Sequence, residues 1–370
     1  MLDFGVRMQM YLGPTLPLPA SFEVADALLD LQVTNNDRQR DGFQMRFRLG
    51  KDSPLDYGLL LAGAFDPPAR VSLVIFFGVL PHVLINGVIT SHQLVPSNKP
   101  GESTLVVTGE DISVLLDLDE RSETFPNQPD SVIAARVLLN YASKGLVPLI
   151  APTTDVPLIV ERLPNQQGTD LAFLQTLAHR NGYVFYTEPT LPGVTTAYWG
   201  PENRLGIPQP ALTVNMGAFT NVDSPINFSL DALGPATPTI TIFEPFTGLA
   251  FEVPAPSLTR PPLSRRAVPS LRTTRSRDAA NLNPLVAAQR ALASETDSAD
   301  AVTATGELDA VRYGQILQAR RLVGVRGVGQ TYDGLYYVRQ VTHRIKRGEY
   351  KQSFKLSREG LGTLTPVVVP

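Results

Sequence analysis

The sequence predicts a mainly β chain that also contains a smaller α+β part, and three observations support this. Residues 329–360 hold two β-rich runs, and the polar, glycine-containing turn Lys346–Glu349 between them has the length of a hairpin connection. Short apolar runs with strand-like spacing recur over residues 43–108 and again after residue 205. The 28 glycines and 32 prolines, about one residue in six, are typical of many short strands and turns. Closely spaced strands of this kind predict antiparallel sheets or barrels.

The composition limits the classes of protein to which the chain can belong. A length of 370 residues allows two or three domains, since single cores rarely exceed roughly 250 residues. The 32 basic and 35 acidic residues argue against a nucleic-acid binder, whose domains are usually strongly basic. No apolar run approaches the roughly 18 residues of a membrane-spanning helix, and the N-terminal MLDFGVRMQM lacks the pattern of a signal peptide. We therefore expect cytoplasmic synthesis and no direct membrane insertion. The absence of cysteine excludes disulfides, thiolate metal sites and cysteine nucleophiles.

The N-terminal third is predicted to consist of closely spaced strands. Residues 22–33, FEVADALLDLQV, fit either a short helix or a strand, and the local sequence leaves both open. Residues 43–49 alternate apolar and polar side chains, which is the pattern of a half-buried strand. Further strands are predicted at residues 71–77, 81–90 and 103–108. The polar segment 121–130, which contains two prolines, marks the first domain boundary.

The middle of the chain is predicted to be a small α+β unit with two helices. The first helix opens at residues 129–131, runs to Lys144 and stops at Gly145, and the second opens at residues 168–170 and ends at Asn181–Gly182. The predicted apolar stripes are Val132, Ala135, Leu138 and Leu139 in the first helix, and Leu171, Leu174, Leu177 and Ala178 in the second. A short strand at 158–163 and a hairpin of residues 183–186 and 195–200 complete the unit.

Strands return at residues 211–216, 226–231 and 239–243, and a Pro-, Ser- and Arg-rich insertion, residues 254–306, then interrupts them. Its first part, Arg260–Arg277, holds six arginines and no acid. Because that composition can bury little apolar surface, we expect an extended, partner-contacting loop that is dispensable for folding. After a helical pattern at residues 282–292, residues 308–321 are predicted to form a helix that returns the chain. Its last turn would contain Arg320 and Arg321, which complement the helix dipole.

The two strands of the C-terminal hairpin differ in their expected environment. In the second strand the face predicted to be buried consists of Tyr350, Gln352, Phe354 and Leu356. The face predicted to be solvent-exposed consists of Lys351, Ser353, Lys355 and Ser357. In the first strand, Tyr336 and Val338 point opposite to Leu335, Tyr337, Val341 and Ile345. Apolar residues on both faces predict a barrel wall that also contacts another subunit.

No catalytic, cofactor-binding or metal-binding residue is predicted. The four histidines, His82, His92, His179 and His343, show no metal-motif spacing. The acids Asp117, Asp119 and Glu120 could pair for hydrolysis, but the adjacent Arg121 and loop favour a solvated turn.

Two further motifs have simple structural interpretations. The glycine-rich run Gly324–Gly329 precedes a tyrosine-rich strand rather than a helix, so it favours strand bending over phosphate binding. Residues Asn227–Ser229 form a glycosylation sequon that has no role without secretion. The chain therefore lacks recognisable catalytic motifs, which suits a structural or binding role.

Three segments of the sequence are similar to one protein family. These are Leu105–Asp117 (LVVTGEDISVLLD), the helix-glycine-strand element Thr169–Glu188, and the C-terminal run Gly306–Gly360. They resemble the phage late control gene D family, the baseplate hubs of contractile phage tails and injection systems. The family is in turn similar to the hub part of the valine-glycine repeat proteins of type VI secretion. The resemblance covers nearly the whole chain.

This resemblance implies a fold with two tail-tube-like antiparallel β-barrels and a small α+β domain between them. The first barrel would span residues 1–125 and the α+β domain residues 126–203. The second barrel would consist of residues 204–253 and 307–370, with residues 254–306 as its extended insertion.

The resemblance also implies a function and partners. A hub of this kind is a homotrimer, and its ring adapts the hexameric tail tube to the trimeric spike. The implied partners are the inner tail tube protein, a spike protein and other baseplate components, within a virion tail or an injection particle. No enzymatic activity, cofactor or nucleic-acid partner is expected.

The residues after Gly360 bear on the spike. Residues 361–370, which include Val367–Val369, are too few to form a spike, so we expect a separate spike protein to bind near the C-terminus. Two alternatives to a hub are a tail-associated cell-wall hydrolase and a carbohydrate-binding module. The latter would need exposed aromatic residues, and the sole tryptophan is Trp199.

Overall fold

The structure is a computed structural model that describes residues 6–49, 63–99, 101–153, 155, 163–243, 250–254, 260–275 and 300–364. The N-terminal elements are β1 (Val6–Gly13), β2 (Leu18–Pro19), α1 (Phe22–Ala27), β3 (Leu28–Asn36), β4 (Gly42–Leu49), β5 (Arg70–Phe77), β6 (Leu80–Val95) and β7 (Ser103–Asp111). The middle elements are a 3-10 helix (Ile112–Asp117), β8 (Glu120–Thr124), α2 (Asp130–Leu139), a 3-10 helix (Ala142–Lys144), β9 (Leu146–Ile150), β10 (Asn165–Thr169), α3 (Asp170–Arg180), β11 (Val184–Leu191) and β12 (Val194–Gly200).

The C-terminal elements complete the fold. They are β13 (Gln209–Thr213), a 3-10 helix (Gly217–Phe219), β14 (Asn227–Leu230), β15 (Ala236–Phe243), β16 (Ala250–Pro254), β17 (Ser264–Ala267), β18 (Arg272–Arg275), β19 (Val302–Asp309), α4 (Ala310–Tyr313), β20 (Leu322–Arg326), β21 (Gly334–Lys346), β22 (Glu349–Arg358) and β23 (Gly360–Thr363). The predicted strand at 158–163 (apart from Leu163), the helical pattern at 282–292 and Val367–Val369 lie outside the described residues.

One large sheet connects the N-terminal and C-terminal parts of the chain. Its order is β14-β19-β22-β21-β3-β4-β7-β6-β5-β1-β2, and all pairings along this order are antiparallel. The pairing of β3 with β21 joins the two parts and places Leu31 opposite Ile345. Strand β20 pairs with the first part of β21, and β13 adds to β20 in parallel. The prediction of a mainly β fold is confirmed.

Alternation explains why the clearest strands form where the sequence predicts them. In β4, Phe43, Met45, Phe47 and Leu49 are buried, while the intervening polar residues are exposed. Burying several such side chains contributes roughly 1.5–3 kcal/mol each, and only a strand places all of them on one face. The ambiguous segment 22–33 contains both predicted forms, because α1 ends at Ala27 and β3 begins at Leu28.

The C-terminal hairpin forms as predicted, with two corrections to its faces. Tyr350, Gln352, Phe354 and Leu356 are buried, as expected of the covered face. A β-bulge between Val338 and Gln340 shifts the alternation of β21, so Val341 lies in the same core as Tyr336 and Val338 rather than opposite them. Ser357, predicted to be solvent-exposed, is buried, and its hydroxyl donates to Asp300 and accepts from Arg339.

The two middle helices pack against β9–β12 around Trp199, and only the second has the predicted face. Leu171, Leu174, Leu177 and Ala178 are buried in α3, and Thr169 caps it by accepting a hydrogen bond from the amide of Ala172. In α2 the predicted stripe is correct only at Leu138, since Val132 and Leu139 are exposed and the buried face is Ile133, Ala134, Val137 and Leu138. Helix α2 carries apolar residues nearly all round, so its packing on β9 selects the face and the local pattern does not.

The predicted helix at residues 308–321 is wrong. Strand β19 already begins at Val302 and runs to Asp309, and only the short α4 follows it, capped by the Asp309 carboxylate. Gly314, with φ of 81°, ends α4 in the left-handed region. Strand pairing of β19 with β22 buries Val302, Ala304 and Leu308, which outweighs the local helical pattern.

The described part of the insertion is more ordered than its composition predicts. Strand β17 pairs with β23, strand β18 pairs in parallel with β15, and Leu263 is buried against Leu322 and Tyr337. The burial of Leu263 therefore argues against the expectation that residues 260–277 are dispensable for folding.

A pair of leucines within the insertion tests this anchoring. Replacing Leu263 with alanine is expected to lower the free energy of unfolding by about 2–5 kcal/mol, the usual cost of truncating a buried leucine. The same change at Leu271, which is 67% exposed, should cost less than about 0.5 kcal/mol. Urea denaturation of both variants measures the difference, and equal effects would show that the insertion is not anchored through Leu263.

Candidate functional site: a buried ionic junction and open sheet edges

A buried cluster of opposite charges lies where distant segments of the chain meet. We call it the ionic junction, and its members are Asp37, Arg38, Glu202, Arg204, Arg260, Asp300, Arg339 and Glu359. Its four arginines balance its four carboxylates. The members come from the β3–β4 loop, the linker after β12, both ends of the insertion and the C-terminal hairpin. The junction therefore ties together every major part of the fold.

Two arginines make most of the contacts in the junction. Arg204 reaches Asp300 at 2.8 Å, Glu202 at 3.1 Å and Glu359 at 3.4 Å. Arg339, at the bulge of β21, pairs with Asp37, Glu202 and Asp300.

The aromatic ring of Tyr337 completes the packing of these two arginines. It lies 5.7 Å from the guanidinium carbon of Arg204 and 5.0 Å from that of Arg339. Buried arginines require several such partners, because an isolated buried charge is very costly.

The charge balance of the junction appears in the pKa values of its acids. Burial alone would raise the pKa of Glu202, but the arginines, Arg339 first, outweigh it and lower the pKa to about 2. At Asp300 burial likewise acts to raise the pKa, but the arginines, led by Arg204, outweigh it and the pKa is lowered. At Asp37 burial outweighs the attraction of Arg339, so its pKa is raised. Glu202 and Asp300 therefore act as fixed negative charges rather than as proton donors.

Glu359 uses its second oxygen to hold the insertion. Its Oε1 accepts hydrogen bonds from the amides of Leu263 and Ser264, both at 2.6 Å, and from the Ser264 hydroxyl at 2.9 Å. A carboxylate that accepts several backbone amides is a strong anchor. This contact explains why β17 is fixed although its sequence resembles a solvated loop.

Arg320 forms a second junction, in place of its predicted role at a helix end. It is buried, has φ of 65°, and donates to Asp41 at 2.6 Å, to the carbonyl of Asn36 and to the carbonyl of Thr187. Its guanidinium carbon also lies 4.3 Å from the ring centre of Tyr186. A side chain at positive φ that makes this many contacts is over-determined by its surroundings. Burial, opposed by Arg320 and reinforced by Asp111, raises the pKa of Asp41 to about 6.

His343 is a buried structural histidine with a defined tautomer. The backbone of Leu317 orients the side chain of Gln352, because the Leu317 amide donates to Gln352 Oε1 and the Leu317 carbonyl accepts from Gln352 Nε2. The amide nitrogen of Gln352 can therefore only donate toward Nδ1 of His343, 3.2 Å away. The other ring nitrogen, Nε2, therefore carries the proton and donates to Asn35 Oδ1 at 3.1 Å. Burial, with a smaller contribution from His82, lowers the pKa of His343 to about 3.

The lowered pKa predicts a pH dependence of stability. Between pH 6.5 and about 3 the unfolded histidine binds a proton and the native one does not, so this group makes the protein less stable as the pH falls. Asp41 acts in the opposite direction, since its raised pKa favours the native state as the pH falls from about 6 toward 3.8. We expect His343→Gln to be destabilising at pH 7, and the difference from wild type to shrink toward pH 4.5. Urea midpoints at pH 7, 6, 5 and 4.5 check this, and a constant difference would show that His343 titrates normally.

The histidines and the acids considered as candidates from the sequence are not brought together into a reactive site among the described residues. His82 and His343 line one cleft of about 180 Å³, whereas His92 contacts the carbonyl of Phe65 and His179 lies in the last turn of α3. Asp117 is held by Arg40 at 2.6 Å and by Thr169 at 2.7 Å. Within the described ranges, no cluster of three or more His, Asp or Glu residues is placed to hold a metal ion.

The remaining motifs are structural. Gly327, with φ of 87°, follows β20, and a Cβ there would lie 1.9 Å from the carbonyl oxygen of Val214, so this close approach requires glycine. Asn227, the first residue of the sequon, lies on β14 at one end of the large sheet. In the six-arginine run, Arg260 is in the ionic junction, Arg265 and Arg266 lie on β17, and Arg277 is outside the described residues. The ionic junction was not predicted from the sequence. The local feature that could have indicated it is the occurrence of Arg near Glu or Asp beside the predicted strand ends.

The large sheet is open at both ends within the described residues. At one end, β14 pairs only with β19. At the other end, β2 pairs only with Tyr11 and Leu12 of β1, so the rest of β1 has a partner strand on one side and an open edge on the other. Open edges present unpaired backbone groups to a partner. None of the described helices has the length and apolar character needed to cross a bilayer.

Comparison with known proteins identifies similar folds. No protein-family model matches the sequence, and no curated protein sequence matches it. A tail protein from Neisseria meningitidis aligns over 97% of this chain and 98% of its own, with 14% identity and a TM-score of 0.63. The 43 kDa tail protein of prophage MuSo2 from Shewanella oneidensis aligns over 96% and 98%, with 14% identity and a TM-score of 0.64.

A secretion protein has the same architecture. A component of the Escherichia coli type VI secretion system, itself described as structurally similar to bacteriophage T4 tail proteins gp27 and gp5, aligns over 93% of this chain and 77% of its own. The identity is 12% and the TM-score 0.56. The resemblance predicted from the sequence is thus confirmed at the level of the fold, and the chain has the fold of phage tail proteins and of a type VI secretion component.

Proposed function

We propose that the chain is a structural baseplate hub of a phage tail or contractile injection system, in which three copies form a ring that adapts a hexameric tube to a trimeric spike. The observation that carries this proposal is the single sheet that passes through both halves of the chain and whose two end strands each have an open edge among the described residues. Its full-length likeness to tail proteins supports the same assignment. In this proposal the two halves of the sheet form two tube-like barrels, so three copies would present six similar units to the tube.

The two junctions explain how such a ring would transmit force. The ionic junction and the Arg320 contacts fasten the N-terminal, middle and C-terminal parts to one another through buried charge-assisted hydrogen bonds. A hub that moves with the tube and spike must not yield between its parts. The proposed role is therefore mechanical and involves no catalytic residue, with the tube protein, a spike protein and other baseplate components as partners.

The oligomeric state tests the ring directly. Mass photometry of the full chain is expected to show a species of three times the chain mass of 40.2 kDa, to which the mass of the spike is added when the spike protein is present. A chain that stays monomeric at micromolar concentration in both samples would contradict the proposed ring. Zymography on cell-wall substrate, with lysozyme as the positive control, checks the non-enzymatic role, and clearing by the purified chain would contradict it.

A further inference from the structure

The anchored insertion presents two exposed arginines. Glu359 and β23 hold β17 in place, and Arg265 and Arg266 on this strand are exposed. Both arginines line a groove of about 910 Å³ together with Thr331, Leu361 and Leu364. Because the backbone of β17 is fixed, only the side chains of these arginines lose conformational freedom when they meet a partner.

The described part of the chain supplies no counter-charge for these two arginines. Residues 260–275 contain no acid, and no carboxylate of the described residues forms an ion pair with Arg265 or Arg266. Glu359, which contacts the same strand, is already used by Ser264 and Arg204. The groove is therefore a basic surface that also offers leucine side chains.

The turn before β8 has the complementary character. Leu118 is 65% exposed, and the next two residues, Asp119 and Glu120, are exposed carboxylates for which no ion pair occurs among the described residues. Strand β8 pairs only with β10, so its other edge is open in the described structure. An exposed leucine beside two unpaired carboxylates matches the groove in both charge and apolar content.

We propose that Arg265 and Arg266 of one copy bind Asp119 and Glu120 of a neighbouring copy, and that this contact closes the ring. The inference rests on the proposed trimeric hub and names the surfaces that would hold it together. The two surfaces lie in different parts of the chain, so the contact is head-to-tail. Repeated head-to-tail contacts generate a ring when the rotation between copies closes, as the proposed trimer requires, and an open filament when it does not. A nucleic acid fits this groove less well than a second copy does. The chain carries a net charge of −3, and the phosphates of a nucleic acid would meet few arginines in the groove.

Charge reversal in the full chain tests the contact. The double variant Arg265→Glu/Arg266→Glu should raise the dissociation constant for self-association at least about tenfold, since like charges would then face each other. Adding Asp119→Arg/Glu120→Arg to the same chain reverses both surfaces and should restore association to near the wild-type value. The control Lys346→Glu/Arg347→Glu makes the same change in charge at the exposed hairpin turn and should leave association unchanged.

The outcomes separate this contact from the proposed function. Mass photometry and sedimentation at 50 and 500 mM NaCl measure association, which should weaken at the higher salt, and thermal transitions confirm that each variant folds. Wild-type association that the arginine reversals leave unchanged would overturn the contact while the ring stands. Weakening that the four-residue reversal does not rescue would show that the arginines contact a different surface of the neighbouring copy, which would overturn their pairing with Asp119 and Glu120. A wild-type chain that remains monomeric even with its spike would overturn the ring itself.

Discussion

Replacing Arg339 with methionine is expected to lower the free energy of unfolding by about 3–5 kcal/mol, the usual cost of removing one partner from a buried ion pair. Methionine keeps much of the aliphatic stem but leaves Asp37, Glu202 and Asp300 buried with less compensating charge. The penalty comes mainly from those stranded carboxylates rather than from the lost attraction itself. Arg344, on the same strand, is 56% exposed and lies 3.9 Å from Glu307, so Arg344→Met should cost less than about 1 kcal/mol.

Two spectroscopic signals show whether the junction holds the parts together. Trp199, the sole tryptophan, is buried in the middle unit, so its fluorescence follows that unit, whereas far-UV circular dichroism follows the whole chain. Urea transitions from the two signals should coincide in the wild type and separate in Arg339→Met. Coincident transitions and a small loss of stability in that variant would contradict the role of the ionic junction.

Replacing Phe354 with alanine is expected to cost about 3–5 kcal/mol, because the ring fills the core of the C-terminal part. Phe354 is buried with Val338, Val341 and Leu356, and its ring packs directly over Gly306 on the adjacent strand, where a Cβ would approach within 2.6 Å. Little backbone is free to close over the cavity, since β22 is paired on both sides.

Lys355 is the matched control for this face assignment. It is the next residue of β22, it is exposed, and Lys355→Ala should change stability by less than about 1 kcal/mol. Differential scanning calorimetry of the two variants beside wild type gives the comparison. Similar losses in both would show that β22 does not have one buried and one solvated face.

Several elements could be predicted from local sequence because local chemistry determines them. The alternation in β4 and β22 fixes one buried face, since successive side chains of a strand point to opposite sides. Helix α3 begins at its Thr169 cap and ends before Gly182, and its four predicted apolar residues are buried. The same locality explains the failures, because the apolar residues of α2 allow two faces. Of the predicted helix 308–321, residues 308 and 309 pair with β22 instead, and Gly314 ends the helix after Tyr313.

By itself the sequence determined the β-rich class, the hairpin and the resemblance to tail hubs, because these depend on side-chain period, turn residues and short motifs. Only the tertiary structure decided where the arginines lie. Arg320 reaches Asp41 across 279 positions of sequence, and Arg339 meets Asp300 and Asp37 only because a bulge turns it into the junction. An arginine is buried only when carboxylates, carbonyls and rings converge on it, and that convergence depends on the packing of distant segments rather than on neighbours in the chain.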